Sequence, residues 1–106
     1  MSNLLYCKPE KGHGTQLYLD DVDRSVYVDG QRHPLTEQEF CLLNELMQHP
    51  GEAVSRAELL KTAWGYITPG ETRTVDVHVQ RLRKKLGTAA IETVYRFVYK
   101  LQAVPA

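Results

Sequence analysis

The sequence predicts an α+β domain in which a small antiparallel sheet is followed by three helices and a closing β-hairpin. Three observations carry this. In the first third Gln16–Asp20 alternates, and Ser25–Val28 is β-branched and aromatic and leads into Asp29-Gly30, the strongest two-residue hairpin signal. Two Ser/Thr-x-x-Glu boxes, Thr36–Glu39 and Ser55–Glu58, each stand ahead of an apolar run at helical spacing. Residues 91–101 then return to β-forming composition. At 106 residues the chain is one domain, and 42% hydrophobic residues supply a core for it. With 25% charged residues the composition is that of an ordinary globular domain. No apolar run approaches the roughly 18 residues a membrane helix needs, and Met1–Cys7 lacks the basic-then-apolar order of a signal peptide. Two cysteines, Cys7 and Cys41, make no disulfide framework, so reduced thiols in a cytoplasmic protein are expected.

Taken in order, Lys8–Gly14 is polar, with Pro9 and two glycines, and reads as a loop. Residues 1–13 are therefore expected to be an N-terminal segment or linker, with room for a short strand at Leu4–Cys7, ahead of a domain at 14–106. Gln16–Asp20 alternates as a strand, Ser25–Val28 is a second, and Gln31–His33 returns after the Asp29-Gly30 turn. The first helix opens at Thr36, where the hydroxyl can accept a free backbone N–H while Glu39 reaches back. It runs through Phe40, Leu43, Leu46 and Met47 to the stop at Pro50-Gly51. Glu52–Val54 has length only for a one-rung strand, and Ser55 opens a short helix through Leu59, Leu60 and Ala63 to Trp64. Gly65–Glu71 is a loop by its glycines and proline. Thr72–Leu86 alternates at Val75, Val77 and Val79, but Val75, Val79, Leu82 and Leu86 follow the helical period, and Gly87 is a suitable cap, so a helix is expected. Ile91–Leu101 reads as a terminal hairpin. The order is that of a winged helix-turn-helix, with a joint between the second and third helices longer than a tight turn.

Equal numbers of basic and acidic residues conceal an asymmetry. Residues 1–71 carry six Lys/Arg against eleven acids, and residues 72–106 carry seven against Asp76 and Glu92. A neutral chain with one basic end can dock a polyanion if that end forms one surface. Lys84 and Lys85 also fit a plainer role beside a helix C-terminus. With the core stripe of the third helix turned inward, Arg73, Val77, Arg81 and Lys84 step by four, four and three along the opposite side, beside Gln80. Arginine forks suit guanine edges or phosphates, an exposed valine suits a thymine methyl, and Asp76 can accept from a cytosine amino group or orient an arginine. His78, at the margin of the core stripe, has a ring N–H for a phosphate or packs at the boundary.

Several stretches in order, Pro34–Leu43, His49–Arg56, Leu59-Leu60, Trp64-Gly65 and above all Arg73–Gly87, resemble the output domains of OmpR/PhoB-type bacterial response regulators over residues 14–102. The resemblance implies a winged helix that binds promoter DNA, usually as two copies on direct repeats, in a two-component system of the bacterial cytoplasm and nucleoid. It places residues 72–86 in the major groove, with Val77 and Arg81 on base edges and Asp76 supporting. Trp64, Arg73, Thr74, His78 and Arg83, with Lys84 on the same stripe, would meet phosphates, and Tyr99 would do so from the wing at 91–102. For Trp64 a core anchor is the competing role. Tyr66, Ile67, Thr68 and Glu71 lie in the segment through which such domains touch RNA polymerase. In a full-length protein a receiver domain would precede this one, so the chain reads as an excised output domain or a standalone one. An isolated domain is expected to be a monomer that pairs on DNA.

Departures from the family pattern concentrate in the wing. Where members commonly read Thr-Val-Arg-Gly-x-Gly-Tyr, this chain has Thr93-Val94-Tyr95-Arg96-Phe97-Val98-Tyr99, without either glycine, and Gln80 stands where a basic residue is frequent. Positive φ at Arg96 and Val98 would cost about 1 kcal/mol each, so a rebuilt turn is expected. Arg96 then takes over a minor-groove contact, or the tip differs and holds DNA less well. Nothing in the sequence points to catalysis, a metal or a cofactor: the four histidines are scattered and no nucleophile–base pair or phosphate-binding glycine loop is present. The alternative function is a winged-helix protein-interaction module with weakened DNA binding.

Overall fold

The computed structural model describes residues 5–9, 16–65, 72–87, 90–95, 98–101 and 103–105. Strands β2 (Leu17–Asp20), β3 (Ser25–Val28) and β4 (Gln31–Pro34) form an antiparallel meander. Leu17, Leu19 and Val26 alternate into the core, while Tyr18 and Tyr27 pair across β2 and β3, edge to face with ring centroids 5.7 Å apart. The β3–β4 turn has φ of 50° at Asp29 and 87° at Gly30, two positive values in succession as a tight hairpin of matching twist requires. The short strand anticipated at Leu4–Cys7 is present as β1 (Leu5–Pro9), paired with β2 through Leu5↔Leu19 and Cys7↔Leu17. It takes in Lys8 and Pro9, expected as loop, because both pair with a further strand, so these residues belong to the sheet and not to a linker.

Helix α1 (Glu37–Gln48) carries both halves of its capping box: Glu39 N–H donates to Thr36 Oγ1 at 3.2 Å, and Thr36 N–H donates to Glu39 Oε1 at 2.8 Å. Its inward face buries Phe40, Leu42, Leu43, Leu46 and Met47. Strand β5 (Ala53–Ser55) pairs at three positions, more than the single rung expected, because Ser55 both ends the strand and caps the next helix. In α2 (Arg56–Trp64) only the first half of the expected box forms, with Glu58 N–H donating to Ser55 Oγ at 3.1 Å. Helix α3 (Thr72–Leu86) is helical throughout, and Val75, Val79, Leu82 and Leu86 are all buried against α1 and α2. Gly87, at φ 101°, closes it by donating to the Arg83 carbonyl at 2.9 Å.

The wing strands are β6 (Ile91–Tyr95) and β7 (Val98–Leu101), and β7 is the centre of a three-stranded sheet in the order β5-β7-β6. Pairing runs Ile91↔Leu101 and Thr93↔Tyr99, then shifts to Tyr95↔Val98, which leaves one extra residue on β6 at Val94. Val98 therefore lies within β7 rather than at a glycine-like turn position. The chain does not end at this hairpin, as the sequence reading has it. Strand β8 (Ala103–Pro105) pairs with β1, giving the larger sheet the order β4-β3-β2-β1-β8. Three residues are too few to show alternation, and a proline is tolerated because β8 is an edge strand.

A buried acid ties the helices to this frame. Glu39 is 1% exposed and accepts from Lys85 Nζ at 2.9 Å, and the same ammonium donates to the Pro34 carbonyl at 3.0 Å. Burial pushes the Glu39 carboxyl up, but the Thr36 amide and Lys85 outweigh it and hold the group below its ordinary range.

Candidate nucleic-acid interface

Burying one stripe of α3 dictates what its other side shows. Arg73, Val77, Gln80, Arg81 and Lys84 are all exposed, Val77 to 50%, with Thr74, Asp76 and His78 partly buried at the margins. The four-residue stripe expected from the sequence is thus one continuous surface of three cations around an apolar spot, on a helix fixed from behind. That combination matches a base-pair edge flanked by phosphates.

Asp76 is not free to reach a base. Its Oδ2 accepts from Arg56 Nη2 and its Oδ1 from the Tyr99 hydroxyl. Arg56, the first residue of α2, has a side chain only 12% exposed, so this carboxylate joins α2, α3 and β7. Tyr99 itself is 7% exposed, its hydroxyl committed to Asp76 rather than offered to a phosphate. Burial, then the hydrogen bond and negative charge of Asp76, push that hydroxyl up to about 12.

Arg83 is engaged as well. Its Nε and Nη2 donate to the Ile91 carbonyl at 3.0 and 2.8 Å, and Nη2 also donates to Thr93 Oγ1 at 2.8 Å. Its guanidinium carbon lies 5.6 Å from the centre of the Tyr99 ring. His78 Nδ1 lies 2.8 Å from the Thr74 carbonyl oxygen, which can only accept, so Nδ1 carries a proton. A phosphate contact from Nε2 would then need the doubly protonated ring. Trp64 packs against the core while partly exposed, and its ring meets His78 edge to face at 4.9 Å. Arg96, Tyr66, Ile67, Thr68 and Glu71 lie outside the described residues.

Sequence reading missed Arg56 and the inward role of Lys85. A single acid on an otherwise basic helix face is the available signal that Asp76 has a partner, but nothing local says that the partner is Arg56. Among the described residues no group of three or more His, Cys, Asp or Glu could hold a metal ion, and no helix is long and apolar enough to cross a membrane.

The family described as transcriptional regulatory protein, C terminal, matches residues 30–101. The chain belongs to this family. The transcriptional regulatory protein CseB of Streptomyces coelicolor is 54% identical over 87 residues, covering 82% of this chain and 37% of that protein. The DNA-binding domain of RstA from Klebsiella pneumoniae, solved in complex with the RstA box, is 37% identical, with a TM-score of 0.70 over 84% of this chain and 97% of that one. The DNA-binding domain of CpxR from E. coli is 32% identical, with a TM-score of 0.71 over 80% of this chain and 88% of that one. This regulatory C-terminal domain is of the OmpR/PhoB type, a winged helix, and it spans 29–37% of the length of the curated relatives it matches.

Proposed function

We propose that this regulatory C-terminal domain binds promoter DNA sequence-specifically, with α3 in the major groove. The observation that carries the reading is the exposed stripe of Arg73, Val77, Arg81 and Lys84 on a helix whose opposite face is buried. Val77 meets a thymine methyl and Arg81 a guanine edge, while Arg73 and Lys84, with Thr74, His78 and Trp64 beside them, meet phosphates. Arg83 offers a phosphate only the part of its guanidinium not held by β6, and Asp76 and Tyr99 support from behind. The RstA neighbour, solved on its own box, supports the assignment of DNA as ligand. A minor-groove contact from Arg96, polymerase contact through Tyr66, Ile67, Thr68 and Glu71, pairing of monomers on direct repeats, a receiver domain in a full-length bacterial protein, and a cytoplasmic setting complete the reading. No catalytic role is included.

The test is selection of bound fragments from genomic DNA with the purified domain at low and moderate salt. Enrichment of a short motif in direct repeat is the expected result. Binding that shows no motif and disappears with salt would leave only an electrostatic surface, and would shift the assignment to a protein-interaction module.

A further inference from the structure

Asp76 and Arg83 are seven residues apart on α3, two turns along one face. Each grips a different strand of the wing. Asp76 accepts from the hydroxyl of Tyr99 on β7, and Arg83 donates to the Ile91 carbonyl and the Thr93 hydroxyl of β6. Thr93 and Tyr99 are themselves cross-strand partners, so the two grips close on one rung of the hairpin. The Arg83 guanidinium lies near the Tyr99 ring and links the grips directly. Arg56 completes the arrangement from α2 by neutralising Asp76.

We infer that Asp76, Tyr99 and Arg83 are positioning residues that lock the wing to α3, so that the two elements meet DNA at a fixed separation. The inference rests on the DNA-binding reading and deepens it: the distance between the base pairs read by α3 and those touched by the wing is set inside the protein. Neither Asp76 nor the Tyr99 hydroxyl then reads a base. The lock also suits this particular hairpin, whose register already shifts at Val94 and so has less ladder of its own to stiffen it.

Tyr99→Phe is the cleanest probe, because it removes one buried hydroxyl and no DNA-facing atom. Asp76→Asn is the second, since it keeps the size of the side chain and removes the charge that holds Arg56. On the selected operator, each should weaken binding by about 3- to 10-fold, the scale of part of one charge-assisted hydrogen bond. The double variant should lose less than the two singles combined, because Tyr99→Phe removes the Tyr99–Asp76 bond that Asp76→Asn weakens by taking away its charge. Hydroxyl-radical protection at the wing should fade while guanine N7 methylation protection under α3 persists, with base preferences unchanged. Equal loss of both protections would reduce the network to general support of the fold. Relaxed base preference in Asp76→Asn would make Asp76 a base reader. Either result overturns the inference.

Amide hydrogen exchange in the free domain is a separate arm that does not depend on DNA. Faster exchange confined to β6 and β7 in both variants supports the lock even if no operator is found, in which case the DNA-binding reading alone has failed. Unchanged exchange in the wing overturns the lock whatever the DNA result.

Discussion

The hydroxyl of Tyr99 titrates near 12 because ionising it would bury a second negative charge beside Asp76. A folded value above the ordinary tyrosine value of about 10 means that the protonated group stabilises the fold. That contribution is complete below about pH 10 and is lost as pH rises through about 12. The midpoint of urea unfolding, followed by far-ultraviolet circular dichroism, should therefore fall over this window in the wild type. The fall should be smaller in Tyr99→Phe, and an equal fall in both would contradict the assignment. On the outer face, Arg81 and Lys84 should separate by kind. Arg81→Ala should cost about 1–3 kcal/mol on the preferred sequence and flatten preference at one position, as for a base contact. Lys84→Ala should weaken all sequences alike and reduce the salt slope by about 1, as for a phosphate contact. Anisotropy titrations at several salt concentrations on matched and mismatched duplexes distinguish the two.

Element by element, what was readable in the sequence is what depends on neighbours three or four residues away. The α3 core stripe at Val75, Val79, Leu82 and Leu86 and the Thr36–Glu39 box follow from local period and local hydrogen bonding, and both are found where expected. The tethers that orient α3 were not readable, because no spacing rule joins Asp76 to Arg56 across 20 residues or Lys85 to Glu39 across 46. Strand β8 was missed for the same reason, its partner being β1 at the other end of the chain. Of the site, the exposed stripe was legible, while the internal commitments of Tyr99, Asp76 and Arg83 were not. The cap of α3 offers a direct test at this scale. A methyl at Gly87 would meet nothing within 4 Å, so Gly87→Ala isolates the strain of φ 101°. A loss of about 1–2 kcal/mol is expected in chemical denaturation, with DNA specificity intact.

At the scale of the molecule, the anchor of α3 to the sheet side of α1 has its own pH dependence. Glu39 is held below its ordinary range, so its ionised form stabilises the fold. The contribution is present above the ordinary carboxylate range and is lost as pH falls through the lowered folded value. Denaturation midpoints measured from neutral to acid pH should drop less steeply in Glu39→Gln than in the wild type, and parallel curves would show that Glu39 does not carry the effect. The larger sheet has a mechanical counterpart. Because β1 and β8 are antiparallel neighbours, with Cys7 opposite Pro105, the start of one strand and the end of the other leave the sheet on the same side. Tension applied between residues 5 and 105 would load the hydrogen bonds of that pair one after another, as in opening a zip, and peel β8 away before force reached the helices. A pull on this domain through its two ends would thus be absorbed at the edge of the sheet, leaving the α3 surface in place during the first extension.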